Sequence, residues 1–205
     1  MANFNITGNV GIQGHLKIWD PSNNQILINK RNSIHYENFS EALAKSISDR
    51  TTGFIAEMHF GNGAASVDTS GAITYLPPNT TGSNADLYNP TYYKIVDDNN
   101  SLNTNPARNK FEVRHISGQT YTDILVTCLL DYGEPSDQEA FDNSTSFSDD
   151  YTFNELGLKS WAGTPNTGKL LTHVIFSPVQ KALNRLIQVD YTIRISALTN
   201  FIDNS

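Results

Sequence analysis

The residues with the most obvious capacity for chemistry are five histidines, which lie singly along the chain. They are His15, His35, His59, His115 and His173. None is paired with a second histidine or with the cysteine at the i, i+2 or i, i+4 spacing that a metal site on one strand or helix favours. His59 shares a predicted strand with Glu57. His115 likewise shares one with Glu112, but neither spacing is a catalytic signature, so we expect structural or surface roles for all five.

Acidic residues cluster in a way that could bind a hard cation. The densest cluster is in the loop 131–142 and consists of Asp131, Glu134, Asp137, Glu139 and Asp142. Carboxylate oxygens suit Ca²⁺, but the order of the residues does not match the regular Asp-x-Asn-x-Asn-Gly loop. A solvated acidic loop accounts for the same composition, so we predict no bound metal ion.

Motifs for nucleophilic catalysis and for phosphate binding are missing from the sequence. No serine stands in a Gly-x-Ser-x-Gly context, where a nucleophile would be exposed between a strand and a helix. The glycines of Gly61-Asn-Gly63 are too closely spaced for a Rossmann or P-loop fingerprint, and they predict a hairpin turn instead. We therefore expect a protein that is not an enzyme, with no catalytic residue and no cofactor.

The charge balance of the chain limits its partners. Its 205 residues carry a formal net charge of −7 at pH 7, and the pI is about 5.1. Such a chain has no general attraction for nucleic acid or an anionic membrane, so its partner is expected to be a protein, a cation or a neutral glycan. The sequence shows no secretory signal and no apolar run of the roughly 18 residues that span a bilayer. We expect a soluble protein made in a cytoplasm, with its single cysteine, Cys128, as a small buried hydrophobe.

The strongest structural pattern lies between residues 169 and 196. In Leu186–Ile195 the apolar residues alternate with polar ones, and those on one side are Ile187, Val189, Tyr191, Ile193 and Ile195. A half-buried β-strand has this period of two. A second apolar run, Leu170–Phe176, precedes it and ends at Ser177-Pro178. We expect these two segments to pair with each other as a long antiparallel pair of strands.

One helix is predicted, over about residues 39–48. Asn38 and Glu41 have the spacing of a capping box, in which two side chains satisfy backbone N–H groups at the start of a helix. Phe39, Leu43 and Ile47 recur at helical spacing and form an apolar stripe. We expect this stripe to cover an end or a face of the sheet system.

Two further hairpins are predicted from alternating patterns. Residues 10–19 and 25–30 predict an N-terminal hairpin, with a bulge at Gly11–Gly14. Residues 109–116 and 120–130 predict a second hairpin, joined by a tight turn that contains glycine.

The fold class that follows is mainly β. We predict an antiparallel β-sandwich or open barrel of roughly nine or ten strands with one short helix. A single domain is expected over residues 1–205, with long loops at 77–90, 97–109 and 132–150. Loops of this length are usually functional or are ordered by neighbouring subunits.

Aromatic residues near the predicted loops are the candidate interface. They are Tyr75, Tyr88, Tyr92, Tyr93 and Trp161. Such residues are enriched in subunit interfaces, and they also form platforms that bind glycans. Packing at the ends of strands is the simpler explanation for the same positions, so both explanations stay open.

Three segments resemble stretches of the virion structural proteins of tailed bacteriophages. They are Phe54–Gly63, Tyr151–Leu158 and Leu170–Lys181 with the strand that follows it. The likeness extends through much of the chain, but its motifs are structural and no functional residue carries over. It implies a non-enzymatic subunit, present in many copies of a ring or other symmetric assembly at the neck, collar, tail or baseplate.

The partners that this resemblance implies are copies of the same chain and other virion proteins, in a particle assembled in the host cytoplasm. Two alternatives use the same fold class. A capsid decoration protein would bind the head lattice, and a fibre or lectin-like module would bind host glycans through its aromatic loops. A hydrolase with an unrecognised site is a further alternative, and no motif favours it.

Overall fold

The computed structural model of the chain describes residues 5–48, 50–67, 69–135 and 150–202. These residues form twelve β-strands and one α-helix. In chain order the elements are β1 (Asn5–Asp20), β2 (Gln25–Arg31), β3 (Ser33–Ile34), α1 (Tyr36–Ile47), β4 (Ile55–Gly61), β5 (Ala65–Val67), β6 (Ile73–Tyr75), β7 (Pro90–Ile95), β8 (Lys110–His115), β9 (Tyr121–Leu130), β10 (Asp150–Ser160), β11 (Thr172–Ala182) and β12 (Ile187–Ile202).

Ten of the strands form two five-stranded antiparallel sheets. The first sheet has the order β2-β1-β12-β9-β8, and the second has the order β3-β11-β10-β4-β7. β5 and β6 form a small separate pair. The two large sheets share one apolar core, so the prediction of a mainly β fold with one helix is confirmed, and the architecture is that of a β-sandwich.

The alternation predicted for the last strand places its apolar face in the core. The inward side chains of β12 are fully buried: Ile187, Val189, Tyr191 and Ile193. The second sheet contributes aromatic residues, among them Phe153 and Phe176, whose rings stand edge to face at 5.8 Å. Burying one such side chain stabilises the fold by about 1.5–3 kcal/mol, so this strand contributes strongly to folding. Cys128 of β9 is also fully buried, as predicted, and burial raises the pKa of its thiol to about 12.

The two segments that close the chain do not pair with each other, contrary to the prediction. β11 lies between β3 and β10 in the second sheet, whereas β12 lies between β1 and β9 in the first. The connection between them crosses from one sheet to the other, and Arg185 fixes this corner with an ion pair of 2.9 Å to Asp20. The apolar residues of each strand must face the core. Two strands meet this requirement equally well when they lie in opposite sheets and when they pair with each other in one sheet. The pattern therefore identifies the strands but not their partners.

The helix begins earlier than predicted and is capped by a different residue. α1 spans Tyr36–Ile47, and Nδ1 of its N-cap, His35, accepts a hydrogen bond from the backbone N–H of Asn38 at 3.3 Å. The predicted capping box is wrong, because the buried Asn38 side chain donates to the Leu170 carbonyl oxygen at 2.9 Å and Glu41 forms ion pairs with two lysines. Among the described residues there is no helix with the length and apolar content that a membrane span requires.

The glycines of the first strand serve a close approach and not the predicted bulge. Along Gly11–Gly14 the pairing of β1 with β12 is continuous, and the bulge lies further on, between Ile18 and Trp19 in the pairing with β2. A Cβ at Gly14 would overlap the Asn32 side chain, so a larger residue at this position would have to displace that side chain.

The predicted hairpin turn at Gly61-Asn-Gly63 is also wrong. β4 pairs with β7 and β10, and the chain after Gly63 enters the separate pair formed by β5 and β6. Both glycines lie against the backbone near Asn89, where a Cβ on Gly61 would come within 2.5 Å of the Asn89 carbonyl oxygen. They allow a loop to pass close to the second sheet.

The long connections at 77–90 and 97–109 lie where they were predicted. The chain itself holds the second of them, because Asn103 Nδ2 donates to the carbonyl oxygens of Asp97 and Asn109 at 3.1 and 2.8 Å. Most of the third predicted loop, residues 136–149 of 132–150, lies outside the described residues.

Candidate functional site

The outward face of the second sheet is polar and yet buried. A bulge between Phe153 and Glu155 shifts the alternation of β10. Leu156 and Leu158 consequently continue the core, whereas Glu155 lies on the opposite face. At most 3% of each ionisable residue on that face is exposed, and we call this set the covered polar face: Glu57, His59, Glu155, Lys159 and His173.

Glu155 is the centre of the covered polar face. Its carboxylate is 0% exposed, and Oε1 accepts from the backbone N–H groups of Gly63 and Asn89 at 3.0 and 2.9 Å. Oε2 accepts from the backbone N–H of Tyr88 at 2.9 Å and from His173 Nε2 at 3.0 Å. Burial alone would raise the pKa of Glu155, but these hydrogen bonds hold the pKa below its ordinary value. The carboxylate therefore stays charged and binds two loops to the sheet.

His173 has partners on both ring nitrogens. Nδ1 accepts from the backbone N–H of Asn79 at 2.8 Å, so Nε2 carries the proton that is donated to Glu155. Neither nitrogen is left to bind a metal ion or to take a proton from a substrate. Lys159 adds an ion pair of 2.6 Å to Asp86, which belongs to the same loop as Asn79. These contacts fasten the loop 77–90 over the second sheet.

A second pair on this face, Glu57 and His59, comes from β4. His59 Nε2 lies 2.7 Å from Glu57 Oε2, and the His59 ring stacks on Tyr93. The Glu57 oxygens also accept the backbone N–H of Asn166, at 3.0 and 3.1 Å. Burial lowers the pKa of His59 and outweighs the hydrogen bond to Glu57, which acts in the opposite direction. This pair, too, holds a loop in place.

Of the two described members of the predicted acidic cluster, Asp131 and Glu134, the second is held by two lysines. Lys94 Nζ donates to both carboxylate oxygens of Glu134, at 2.7 and 2.6 Å. Lys181 Nζ donates to the Glu134 carbonyl oxygen at 2.8 Å, and burial lowers the pKa of Lys181 to about 8. The carboxylates of that loop from residue 137 onward lie outside the described residues. Within the described ranges, no group of three or more His, Cys, Asp or Glu side chains could hold a metal ion.

Two residues of the predicted aromatic interface lie near each other on the surface. Tyr75 is 43% exposed and Tyr88 is 40% exposed. The Tyr88 hydroxyl donates to the Pro77 carbonyl oxygen at 2.7 Å, and Tyr75 lines a small cavity together with Pro78. This corner is the exposed part of the candidate interface.

The other three aromatic candidates are elsewhere. Tyr92 is 6% exposed and packs in the core against Phe60, so it is a core residue and not a surface one. Tyr93 stacks on the buried His59, and Trp161 is partly exposed in a cavity beside α1. The five residues therefore do not form one surface, and a glycan platform of adjacent rings is not assembled from them.

A two-stranded ribbon, which we call the β1–β12 ribbon, extends from the first sheet. Its strands are antiparallel partners along residues 5–19 of β1. β9 accompanies β12 only as far as Ser196, and β2 accompanies β1 only from His15 onward. Beyond these points no described strand flanks the ribbon. A cleft of about 700 Å³ lies beside β1 where β2 leaves it, with Gly14 and Asn32 in its wall.

The other edge of the first sheet is formed by β8, and we call it the β8 edge. β8 has one neighbour, β9, and its residues Glu112–His115 are exposed. Val113 is 69% exposed, although it stands opposite the partly buried Ile124 on the inward face of the sheet. Beside it an apolar groove of about 500 Å³ separates α1 from the sheet, and its walls include Phe39, Leu43, Phe111, Val113, Ile124 and Ile195.

Sequence reasoning missed both the covered polar face and the β8 edge. The signal for the β8 edge is present in Lys110–His115, where charged and apolar residues alternate. The polar face had no readable signal, because Glu155 becomes a loop anchor only through the bulge beside it. Comparison with known proteins finds no matching family model, no matching curated protein and no matching solved structure.

Proposed function

We propose that the chain is a non-enzymatic structural subunit of a tailed-bacteriophage virion. In this proposal it is a ring- or collar-forming component of the neck or tail, and it binds copies of itself and other virion proteins. It is assembled into the particle in the host cytoplasm, without a cofactor and without contacts to nucleic acid or membrane. The resemblance of three segments to virion proteins of these phages supports the proposal, and so do two features of the fold.

The β1–β12 ribbon is the observation that carries the proposal. A two-stranded ribbon is at best marginally stable alone in water, and open strand edges pair readily with other chains. The part of this ribbon beyond Ser196 and before His15 has no flanking strand among the described residues. A neighbouring subunit that added a strand to either edge would complete the backbone hydrogen bonding.

The covered polar face is the second support. Its histidines and carboxylates are the groups best suited to acid–base chemistry, and they are hydrogen-bonded to the chain's own loops. Such groups, each at most 3% exposed, stabilise the subunit and do not reach a substrate. A stable body with accessible strand edges suits a building block.

Quantitative mass spectrometry of purified virions tests this proposal. Particles of the phage that encodes the chain are expected to contain it, in a copy number that fits a closed ring, and gold-labelled antibodies are expected to mark the neck or tail. A copy number that matches the head lattice would favour the decoration alternative. Absence of the chain from washed particles would contradict the proposal.

A further inference from the structure

We propose that the β8 edge is a contact between two copies of this chain. In this contact β8 pairs antiparallel with β8 of a second copy, about a two-fold axis that passes through Val113. The first sheet of one copy and the first sheet of the other then join into one continuous sheet of ten strands, five from each copy. The inference rests on the proposed function, in which the chain binds copies of itself, and it names the surface through which two copies bind.

Within the described part of the chain no segment covers the β8 edge, whereas each of the other three sheet edges has a feature that hinders the addition of a strand. β3 has two residues, which is too short to add a partner strand. β7 begins with Pro90, and its Lys94 is buried against Glu134. At the β2 edge, Lys30 Nζ reaches across to the Ile175 carbonyl oxygen of the second sheet at 2.7 Å. β8 offers six residues, and the last four of them are exposed.

The charges on β8 select one register for the second copy. With the axis through Val113, Glu112 lies opposite Arg114 of the second copy, and by symmetry Arg114 lies opposite its Glu112. Opposite charges at directly facing positions favour strand pairing, whereas like charges oppose it. Moving the axis by one residue would place Glu112 opposite itself and Lys110 opposite Arg114. The strand is therefore self-complementary in the first register and repulsive in the second.

The inward face of β8 provides the apolar part of the contact. Val113 is 69% exposed in the single chain and would meet Val113 of the second copy at the axis. The apolar groove begins at the same residue and continues through Phe111 and Ile124. The second copy would thus cover apolar surface that the second sheet leaves open. One strand pair buries less area than a standard interface, so we expect a dissociation constant in the micromolar range.

A charge-swap experiment on the full chain tests this contact. The variants are Glu112→Arg and Arg114→Glu, and the readout is the monomer–dimer equilibrium by sedimentation velocity up to about 200 µM, roughly 200-fold above a dissociation constant of about 1 µM. Each variant alone opposes like charges at both facing positions, so each is expected to dissociate at least tenfold more readily than the wild type. An equimolar mixture restores both opposite-charge pairs, and it is expected to form the heterodimer.

The mixture separates the proposed contact from a general effect on folding. Both variants lose the ion pair of 2.8 Å between Glu112 and Arg114 within one chain, so this loss cannot explain recovery in the mixture. These side chains are 54% and 53% exposed, and the urea midpoints are expected to stay at the wild-type value.

Three outcomes would overturn the inference. Single variants that dimerise like the wild type would exclude the β8 edge while leaving self-association and the proposed function intact. A mixture that stays monomeric would exclude this register. A wild type that is monomeric at every concentration would exclude the contact, and the presence of the chain in virions would still decide the proposed function separately.

Discussion

Glu155 is the residue on which the arrangement of the loops depends most. Its buried carboxylate accepts four hydrogen bonds, three of them from backbone N–H groups in two separate connections. Removing the charge leaves these donors facing an amide, part of which is itself a donor. The side chain thus acts as a structural anchor.

We predict that Glu155→Gln destabilises the protein by about 3 kcal/mol, because breaking a buried charged network leaves its partners unsatisfied. The free energy of unfolding in urea measures this loss, and limited proteolysis is expected to cut the 77–90 loop faster. Asp98→Asn is the control, since Asp98 is an exposed carboxylate outside the β8 edge, and its urea midpoint is expected to equal the wild-type value. An unchanged midpoint for Glu155→Gln would contradict the anchoring role.

His59 makes the stability of the protein depend on pH. Burial lowers the pKa of His59 in the folded state below the value of 6.5 for an ordinary histidine. Below about pH 6.5 the unfolded chain therefore binds a proton at His59 that the folded chain does not bind. The free energy of unfolding is consequently highest above about pH 6.5 and falls as the pH drops.

We predict that the free energy of unfolding decreases between pH 7 and pH 5, with a slope of at most about 1.4 kcal/mol per pH unit from this one group. His59→Gln removes the titrating ring, so the variant is expected to be less stable at pH 7 but to lose less stability on acidification. Urea titrations at several pH values measure both. Equal slopes for the variant and the wild type would show that His59 is not responsible.

At the scale of elements, the β1–β12 ribbon and the β8 edge leave the first sheet open on both sides. The second sheet is closed instead, because loops cover its outward face and its edge strands are short or obstructed. In the proposed function the two sheets therefore differ in role: the second stabilises the subunit, and the first offers strands to partners.

We predict that Val10→Asp weakens incorporation of the chain into virions by about tenfold, which corresponds to about 1.4 kcal/mol of binding free energy. Val10 lies in the ribbon and is 59% exposed, so the change is expected to leave the fold stable. Ile26→Asp is the matched control, because Ile26 is a 54% exposed β-branched residue on β2, opposite Trp19 and outside the unflanked part of the ribbon before His15. The measurement is the amount of each variant in purified particles. Equal amounts of the two variants would argue against the ribbon as a docking element.

Sequence patterns predicted most elements of the fold and two local hairpins, β1 with β2 and β8 with β9, but not the pairings between distant strands. The alternation of apolar and polar residues in β12 correctly predicted which face of the strand is buried, because successive side chains of any strand point to opposite faces of the sheet. The pairing of β12 with β1, in which Ile12 lies opposite Ile195, joins segments far apart in the chain, and no local pattern encodes it. The helix start was missed for a related reason, since a histidine takes the capping place usually held by Asn or Ser.

The candidate site was harder to predict than the fold. The aromatic residues were chosen by type, but Tyr92 proved to be a core residue, because its position on β7 turns it inward. The bulge in β10 makes Glu155 an anchor, and a bulge of this kind is set by tertiary packing. The charges of β8 were visible in the sequence, but their meaning required knowing that β8 is an edge strand.

At the scale of the whole molecule, the chain is a β-sandwich for which we propose two separate surfaces that bind other chains. An isologous contact at the β8 edge uses the same patch on both copies, and the ribbon supplies a second, different contact. Two contacts for each copy are enough to build a closed assembly. This arrangement fits a subunit whose function is to hold a particle together.

Electron cryomicroscopy of the intact virion, at a resolution that traces the chain, tests this account most directly. We predict that the sandwich lies in the neck or tail in a symmetric ring, with a strand of a neighbouring chain paired to the β1–β12 ribbon. A particle without this chain, or one in which the ribbon stands free of every neighbour, would contradict the account.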